Sequence, residues 1–278
     1  MWHYTNINAL YSILCNRKIW MTDIRYLNDA SEYHEGISEF KDIIPGLLNS
    51  SYVKVKNPQK AIDTLLEMLV NQSEFDLFID PVFIFSLSKS EDQLSQWRAY
   101  GKYAIEFDTN YINESLGTIR KCVYDKQEKK QCARDQAIQS LISIDTDMSN
   151  NNGVVGVQSI EAIQSLRDII VTFKNHGFSE ENEYRAILPS SDFEYPNNIK
   201  FRPNGDMLVP FIEVPISLDC IKGIKVGPVR DQDLAMEAMM SFAKNIERNW
   251  QAEGADAGIE YWLQVSCTEI PFRELSYK

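Results

Sequence analysis

The sequence lacks the features that mark a membrane protein, an oxidised protein or a zinc protein. No apolar run approaches the roughly 20 residues that a membrane-spanning helix needs, and the N-terminus carries no basic and apolar signal segment. The five cysteines are an odd number, widely scattered and without a C-x-x-C pair, which argues against a disulfide framework and a zinc cluster. We therefore expect a cytoplasmic protein that does not contact a membrane.

The motifs of several common enzymes are also missing. There is no G-x-S-x-G nucleophile elbow, no Walker A loop and no G-x-G-x-x-G loop. The only histidines are His3, His34 and His176, without an H-E-x-x-H motif, so we expect no metal site. The net charge of −12 argues against non-specific nucleic-acid binding over the whole surface, because such binding needs many basic contacts to phosphate. It leaves room for a local basic pocket.

The chain has the composition and length of an ordinary globular protein, with 44% hydrophobic and 24% charged residues among 278. Trp2–Thr5 and Ile19–Thr22 are rich in aromatic and β-branched residues, which predicts two strands. Between them, apolar residues from Ile7 to Leu14 recur at helical spacing. The first 22 residues are therefore predicted to form strand, helix, strand, with His3 on the first strand.

Two further strands are predicted near the middle of the chain, at Val82–Phe85 and Lys102–Asp108. Between them lie Trp97 and Tyr100, three residues apart on one predicted helical turn. Aromatic residues at this spacing are usually part of a core, but the polar residues around them favour the wall of a binding site. Both interpretations are open from the sequence.

The region from about residue 125 to 177 is polar and contains two helical patterns, around Lys129–Ile144 and Ser159–Phe173. We interpret it as a helical insertion, because strand patterns resume after it. We expect its helices to pack outside the sheet as a partner surface or a lid, and we expect the strand core to fold without them.

The stretch that resumes the strand pattern carries Glu181, Glu183 and Arg185 at every second position. Residues two apart in a strand share one face, so these three side chains should point the same way. One interpretation is a surface ion pair on a sheet edge, which contributes little stability. The other is a charged site at the mouth of a strand, with Glu181 further out and more hydrated than Glu183.

An ordered set of short motifs then suggests a family. The set comprises His3-Tyr4-Thr5, Asn28-Asp29-x-x-Glu32, Ser86-Leu87-Ser88, Trp97-x-x-Tyr100, Glu181-x-Glu183-x-Arg185 and Ser266-x-x-x-Ile270-Pro271-Phe272-Arg273. In this order the motifs resemble a family of uncharacterised bacterial domains, over nearly the whole chain. That family is similar, more distantly, to ADP-ribosyltransferases of the His-Tyr-Glu and DNA-modifying toxin kinds.

The resemblance implies an α+β fold with an ADP-ribosyltransferase-like split mixed β-sheet core and peripheral helices, as one domain over residues 1–278. It implies that NAD is the cofactor, consumed as a substrate, that Glu183 is the catalytic carboxylate and that His3 acts in catalysis and holds a ribose. The other residues that it implies for cofactor binding are Tyr4, Thr5, Asn28, Asp29, Ser88, Trp97, Tyr100 and Arg185. Within this set, Tyr100 or Trp97 would stack on nicotinamide, and Arg185, Arg98 or Arg25 would meet the pyrophosphate.

The leading hypothesis is therefore an NAD-dependent ADP-ribosyltransferase or NAD glycohydrolase, acting as a bacterial toxin or anti-phage effector. The expected partners are NAD, a nucleic-acid or protein target and a regulatory or antitoxin protein. Two alternatives are a non-catalytic nucleotide-sensing or protein-interaction module and a metal-independent RNA nuclease that uses His3 with Arg185. The transferase hypothesis requires the His3 strand to lie inside a sheet, beside the strand that begins at Glu183.

Overall fold

A computed structural model of the chain describes residues 1–27, 31–49, 55–74, 81–188, 198–252 and 261–271. Within these residues, ten strands form one sheet. They are β1 (Trp2–Thr5), β2 (Lys18–Asp23), β3 (Phe83–Ser88), β4 (Tyr103–Phe107), β5 (Thr118–Lys121), β6 (Glu183–Ile187), β7 (Lys200–Asn204), β8 (Met207–Pro215), β9 (Ile221–Val226) and β10 (Gln264–Cys267). Both strands predicted for the first 22 residues are confirmed.

The helices cover both faces of this sheet. They are α1 (Ile7–Asn16), α2 (Ser31–Ile43), α3 (Pro58–Glu74), α4 (Leu94–Ala99), α5 (Thr109–Leu116), α6 (Lys126–Asn150), α7 (Val157–Ile170) and α8 (Gln232–Ala252), with short 3-10 helices at Ile24–Tyr26, Ile44–Asn49, His176–Glu181 and Leu218–Cys220. Helix α1 begins where Asn6 accepts a hydrogen bond from the Ala9 amide, as its N-cap. None of the described helices is both long and apolar enough to cross a membrane.

The sheet is mixed and open. Its main path runs β10-β9-β4-β1-β3-β2-β8-β7, while β6 pairs with β3 and β5. Strands β9 and β10 are parallel, and the remaining pairs are antiparallel. The expectation of a mixed β-sheet with peripheral helices is confirmed.

The sheet divides at one edge of β3. Strand β6 pairs with β3 from Ile84 to Ser88, so β1 and β2 must both use the opposite edge. Strand β1 meets that edge at Ser88, and β2 meets it at Phe83 and Ile84. We call the gap between them, beside Ser86, the fork. It separates a β1 arm (β1, β4, β9, β10) from a β2 arm (β2, β8, β7).

The position of β1 agrees only in part with the sequence expectation. Strand β1 lies inside the sheet, between β4 and β3. Strand β6 belongs to the same sheet, but β3 lies between it and β1. The two strands are therefore not neighbours, and one intervening strand separates His3 from Glu183.

The region expected to be an insertion shares a core with the sheet. Helices α6 and α7 bury their apolar residues together with those of α2 and α3 and with Ile84 and Ile187 of the sheet. A separate apolar cluster on the other face joins α1, α5 and α8 to the sheet. Deletion of residues 125–177 would expose the apolar residues that α2, α3 and the sheet bury against α6 and α7. Contrary to the expectation from the sequence, this deletion should therefore unfold the protein.

Candidate functional site

A cleft lies at the fork, between the two arms of the sheet. One cavity of about 330 Å³ is lined by His3, Tyr100, Glu181, Glu183 and Arg202, among others. An adjoining cavity of about 400 Å³ runs along the β2 arm. The two share the lining residues His3, Trp20, Thr22, Phe85 and Arg202, and each has the size of a small-molecule pocket.

His3 occupies the fork itself. Its Nδ1 atom lies 2.9 Å from the carbonyl oxygen of Ser86, a group that neither β1 nor β2 pairs with. A carbonyl can only accept, so Nδ1 carries the proton, and in the neutral ring Nε2 is an acceptor. Desolvation lowers the pKa of His3 to about 4, so the ring is neutral at pH 7. The ring also packs on Phe85 at 4.3 Å between centroids.

Glu183 and Arg185 form a buried ion pair on one face of β6. The Arg185 Nε atom donates to Glu183 Oε1 at 3.0 Å, and Nη1 donates to the Val171 carbonyl at 2.5 Å. The two residues are 5% and 2% exposed, and β6 is paired along both of its edges. The interpretation as a surface pair on a sheet edge is therefore wrong.

Lys174 joins this pair to Glu181. Its Nζ atom donates to Glu183 Oε2 at 2.6 Å and also to Glu181 Oε2. Burial alone would raise the pKa of Glu183, but Arg185 and Lys174 outweigh that effect and hold the pKa at about 2. Glu181 is 7% exposed and Glu183 is 5% exposed, so both carboxylates are buried and Glu181 is only slightly the more exposed of the two. We call Lys174, Glu181, Glu183 and Arg185 the charged network.

Tyr100 extends the charged network into the cleft. Its hydroxyl donates to Glu181 Oε1 at 2.9 Å, and burial raises the pKa of Tyr100 above its ordinary value. The following residue, Gly101, has φ +142°, and a Cβ there would lie 2.2 Å from the Thr5 carbonyl oxygen. Only glycine permits this contact, which holds the end of α4 against β1 and places Tyr100 beside His3.

Three of the residues expected to bind the cofactor are held by contacts within the fold, although Tyr4 and Ser88 also line a small cavity beside His3. Trp97 is fully buried, packs edge-on against Tyr4 at 4.6 Å and donates from Nε1 to Asp92. A stacking role for Trp97 is incompatible with this arrangement, because no ring face is open to the cleft. Tyr4 donates its hydroxyl to the Ser90 carbonyl, and the Ser88 hydroxyl donates to the Glu181 carbonyl at 2.7 Å.

The remaining expected residues are spread over different surroundings. Thr5 is buried and lines the cavity of the β2 arm. Asn28 and Asp29 lie outside the described residues. Arg25 pairs with Asp23 at 2.6 Å. Arg25 is not among the residues that line the two cavities of the cleft.

No sequence pattern singled out Lys174 or Arg202. Lys174 follows the last turn after α7 in a segment assigned to the insertion, and no charge pattern marked it. Arg202 belongs to β7, for which no strand was predicted. The two residues between β7 and β8 are Gly205 and Asp206, and a Gly-Asp loop is a recognised hairpin signal, so this strand could have been predicted.

The described residues contain no group of three or more His, Cys, Asp or Glu side chains that could hold a metal ion. The chemistry available in the cleft is that of carboxylates, one neutral imidazole, a phenol and cations. Such a set suits the recognition of a polar ligand that carries hydroxyl groups and an anion.

One family model matches the chain. Residues 96–186 match a family described as "Protein of unknown function (DUF2971)", which supports similarity to an uncharacterised domain family. The matched segment contains Tyr100 and the whole charged network, whereas His3 and Arg202 lie outside it. No curated protein and no solved structure matches the chain.

Proposed function

We propose that this protein is an ADP-ribosyltransferase-like enzyme that cleaves NAD, by transfer to a macromolecular target or to water. The observation that carries the proposal is the convergence of His3, Tyr100 and Glu183 on one cleft at the fork of the sheet. These residues are separated by up to 180 positions in the chain, so only the fold brings them together. The transferase hypothesis required this convergence, and the alternatives did not.

The reaction fits the groups present. The bond between ribose C1′ and nicotinamide breaks, nicotinamide keeps the electron pair and leaves as a neutral molecule, and an acceptor oxygen or nitrogen bonds to C1′ and loses a proton. Positive charge develops on the ribose during this step, and a carboxylate stabilises it, as in other glycosyl transfers. Glu183 is ionised at neutral pH because its pKa is about 2.

The charged network leaves room for a ribose hydroxyl. A carboxylate offers about four acceptor positions, and the described contacts to Glu183 come from one Lys174 atom and two Arg185 atoms. A ribose hydroxyl can therefore donate to Glu183 without displacing Arg185. The Nε2 atom of His3 can accept from another hydroxyl.

The same network favours a second candidate, a nucleotide-sensing module without catalysis. Two carboxylates are balanced by Lys174 and Arg185, which reduces the negative charge that Glu183 can offer to a transition state. A nuclease that uses His3 with Arg185 gains no support, because the pKa of His3 is about 4 and Arg185 is bound to Glu183 and Val171.

Release of nicotinamide from NAD tests the proposal. The parent, Glu183→Gln and Glu181→Gln would be assayed with NAD and mixed protein and nucleic-acid acceptors, below the melting temperature of each variant. Both substitutions remove one carboxylate from Lys174, so they form a matched pair. We expect Glu183→Gln to lower turnover about 100-fold or more, the scale of one lost electrostatic contact in a transition state. Glu181→Gln should have a smaller effect.

Each outcome separates the candidates. Equal turnover of Glu183→Gln and a parent that consumes NAD would remove Glu183 from the mechanism. NAD binding by the parent without release of nicotinamide, for every acceptor, would favour the sensing module. A parent that neither binds NAD nor releases nicotinamide would refute both the enzyme and the NAD-sensing module. His3→Ala should weaken NAD binding as well as turnover, because its proposed role is to position the ribose.

A further inference from the structure

Arg202 stands out among the cations of the cleft by what surrounds it. It lines both cavities from β7. Its Nη2 atom donates to the Thr22 hydroxyl at 3.1 Å, and its guanidinium carbon lies 5.5 Å from the centroid of the Trp20 ring. Within the part of the chain that the structure describes, Arg202 makes no ion pair.

This arrangement desolvates a cation without neutralising it. Burial lowers the pKa of Arg202, which reflects the cost of taking the guanidinium out of water. A hydroxyl and aromatic faces recover part of that cost, but a desolvated charge is stabilised best by an opposite charge. Arg185, which lines the same cavity, has such a partner in Glu183. Arg202 differs from it in having no carboxylate partner among the described residues.

The wall around Arg202 carries further positive charge. Glu213 accepts from Lys18 at 3.0 Å and from Lys200 at 2.7 Å, so two cations share one carboxylate. Lys18 lines the same cavity as Arg202. The side chains of Lys18, Lys200, Arg202 and Glu213 together have a net charge of about +2 at neutral pH. The net charge of the whole chain is −12. The lining of this cavity therefore contains two cations of the β2 arm, Lys18 and Arg202, and no carboxylate.

We propose that Arg202 is the anion-binding residue of the cleft and that it holds a phosphate or pyrophosphate group of a nucleotide. A guanidinium has several donors in one plane, which suits bidentate binding of phosphate oxygens. His3 and Glu183 line the same cavity as Arg202, so a phosphate at Arg202 leaves its sugar near the fork. The identity of the nucleotide as NAD rests on the proposed function, whereas the phosphate site does not.

Calorimetric titration tests the inference. The ligands are NAD, ADP-ribose, inorganic pyrophosphate and nicotinamide riboside, which has no phosphate. The variants are Arg202→Gln, Arg202→Lys and, as a matched control, Arg134→Gln at an exposed position of α6. We expect Arg202→Gln to weaken binding of ADP-ribose about tenfold or more, as expected for loss of charge-assisted hydrogen bonds. The affinity of Arg202→Lys for ADP-ribose should lie between those of Arg202→Gln and the parent, because lysine keeps the charge but loses the planar donors.

The comparison of ligands identifies the group that Arg202 holds. The affinity for pyrophosphate should fall in Arg202→Gln as the affinity for ADP-ribose does, and the affinity for nicotinamide riboside should not change. Arg134→Gln should bind every ligand as the parent does. Equal affinity of Arg202→Gln and the parent for ADP-ribose would overturn the inference, as would a parent that binds none of the three phosphate compounds.

The two proposals can fail separately. If NAD binds through Arg202 but no nicotinamide is released, the phosphate site stands and the proposed enzyme activity falls. If nicotinamide is released with the same KM by Arg202→Gln and by the parent, the activity stands and the phosphate site falls.

Discussion

Two arginines line the same cleft and are held in opposite ways. Arg185 on β6 is almost fully buried and bonds to Glu183 and to the Val171 carbonyl. Arg202 on β7 is half-buried, rests on aromatic rings and bonds to the Thr22 hydroxyl. The first is part of what holds the sheet to the turn after α7. The second makes no ion pair within the described residues, which leaves its charge available to a ligand.

The comparison also explains why net charge is a poor guide to this site. The chain is strongly acidic, yet the charged network is neutral, because two carboxylates face Lys174 and Arg185. The β2 arm is positive for a local reason, since Glu213 serves two lysines. A composition-level argument averages over such differences, whereas ligands respond to charges within about a Debye length, roughly 8 to 10 Å.

Substitution of Arg185 should give the largest loss of stability. Arg185→Gln leaves Glu183 and the Val171 carbonyl buried with fewer donors, and breaking a buried pair from one side costs about 3–5 kcal/mol. Urea unfolding measures the free energy of unfolding. Lys222→Gln is the matched control, because Lys222 pairs with Asp108 at 2.6 Å but is 55% exposed. An exposed pair contributes about 0–1 kcal/mol. Equal losses for the two variants would show that the network is not structural.

The next prediction concerns the coupling between Lys174 and Glu181. Lys174→Met leaves two neighbouring carboxylates near a single arginine, and like charges raise the pKa of one of them. This variant should therefore be destabilised at pH 7 and should recover as the pH falls, because protonation relieves the repulsion. Lys174→Met combined with Glu181→Gln should recover about 1–3 kcal/mol at pH 7, the scale of coupling between contacting residues. Additive losses in urea unfolding would contradict a shared network.

The sequence predicted β1 to β4 and the face shared by Glu183 and Arg185, because alternation is a local property, but it did not predict β7. It could not predict that the pair is buried, since this depends on pairing of β6 with both β3 and β5. Nor could it predict the contact of Lys174 with Glu183, since Lys174 lies beside a long-range backbone bridge between Val123 and Phe173. The strand positions were thus readable locally, whereas the charged network is a product of long-range packing.

The two aromatic residues at the end of α4 show the same limit of local patterns. Trp97 and Tyr100 are three residues apart, and the sequence left both as core or site. The structure buries Trp97 in a small cluster with Trp2 and Tyr4 and turns Tyr100 towards Glu181. The difference arises because Gly101 allows the chain to approach Thr5 closely. Helical spacing alone could not have separated the two roles.

A third prediction uses pH to separate His3 from the charged network. The folded pKa of His3 is about 4 and the ordinary value is 6.5, so between these values the unfolded chain binds a proton that the folded chain does not. Stability should therefore fall as the pH drops from about 6.5 to 4. His3→Gln can still donate to Ser86 but cannot titrate, and it should reduce this slope by up to about 1.4 kcal/mol per pH unit. Urea unfolding at pH 7, 6 and 5 gives the slope.

The control for this prediction is His34→Gln at an exposed position of α2. It removes a histidine outside the cleft, so a change of slope that it shares with His3→Gln is not specific to the fork. A slope that is identical in His3→Gln and the parent would mean that His3 titrates alike in the folded and unfolded chain. That result would argue against a desolvated imidazole at the fork.

The smallest predicted effect on stability is that of Arg202→Gln, and it is the one that separates the two arginines most sharply. The change removes a hydrogen bond to Thr22 and contacts with aromatic rings, but it strands no buried carboxylate. It also removes the cost of desolvating a cation, which opposes the loss of those contacts. We therefore expect the free energy of unfolding to change by about 0.5 kcal/mol or less, within the range of ordinary surface substitutions. A loss comparable with that of Arg185→Gln in the same urea titrations would mean that Arg202 is a structural cation like Arg185. Little change in stability together with weaker binding of ADP-ribose would instead place the two arginines in different roles, one holding the fold and the other holding the ligand.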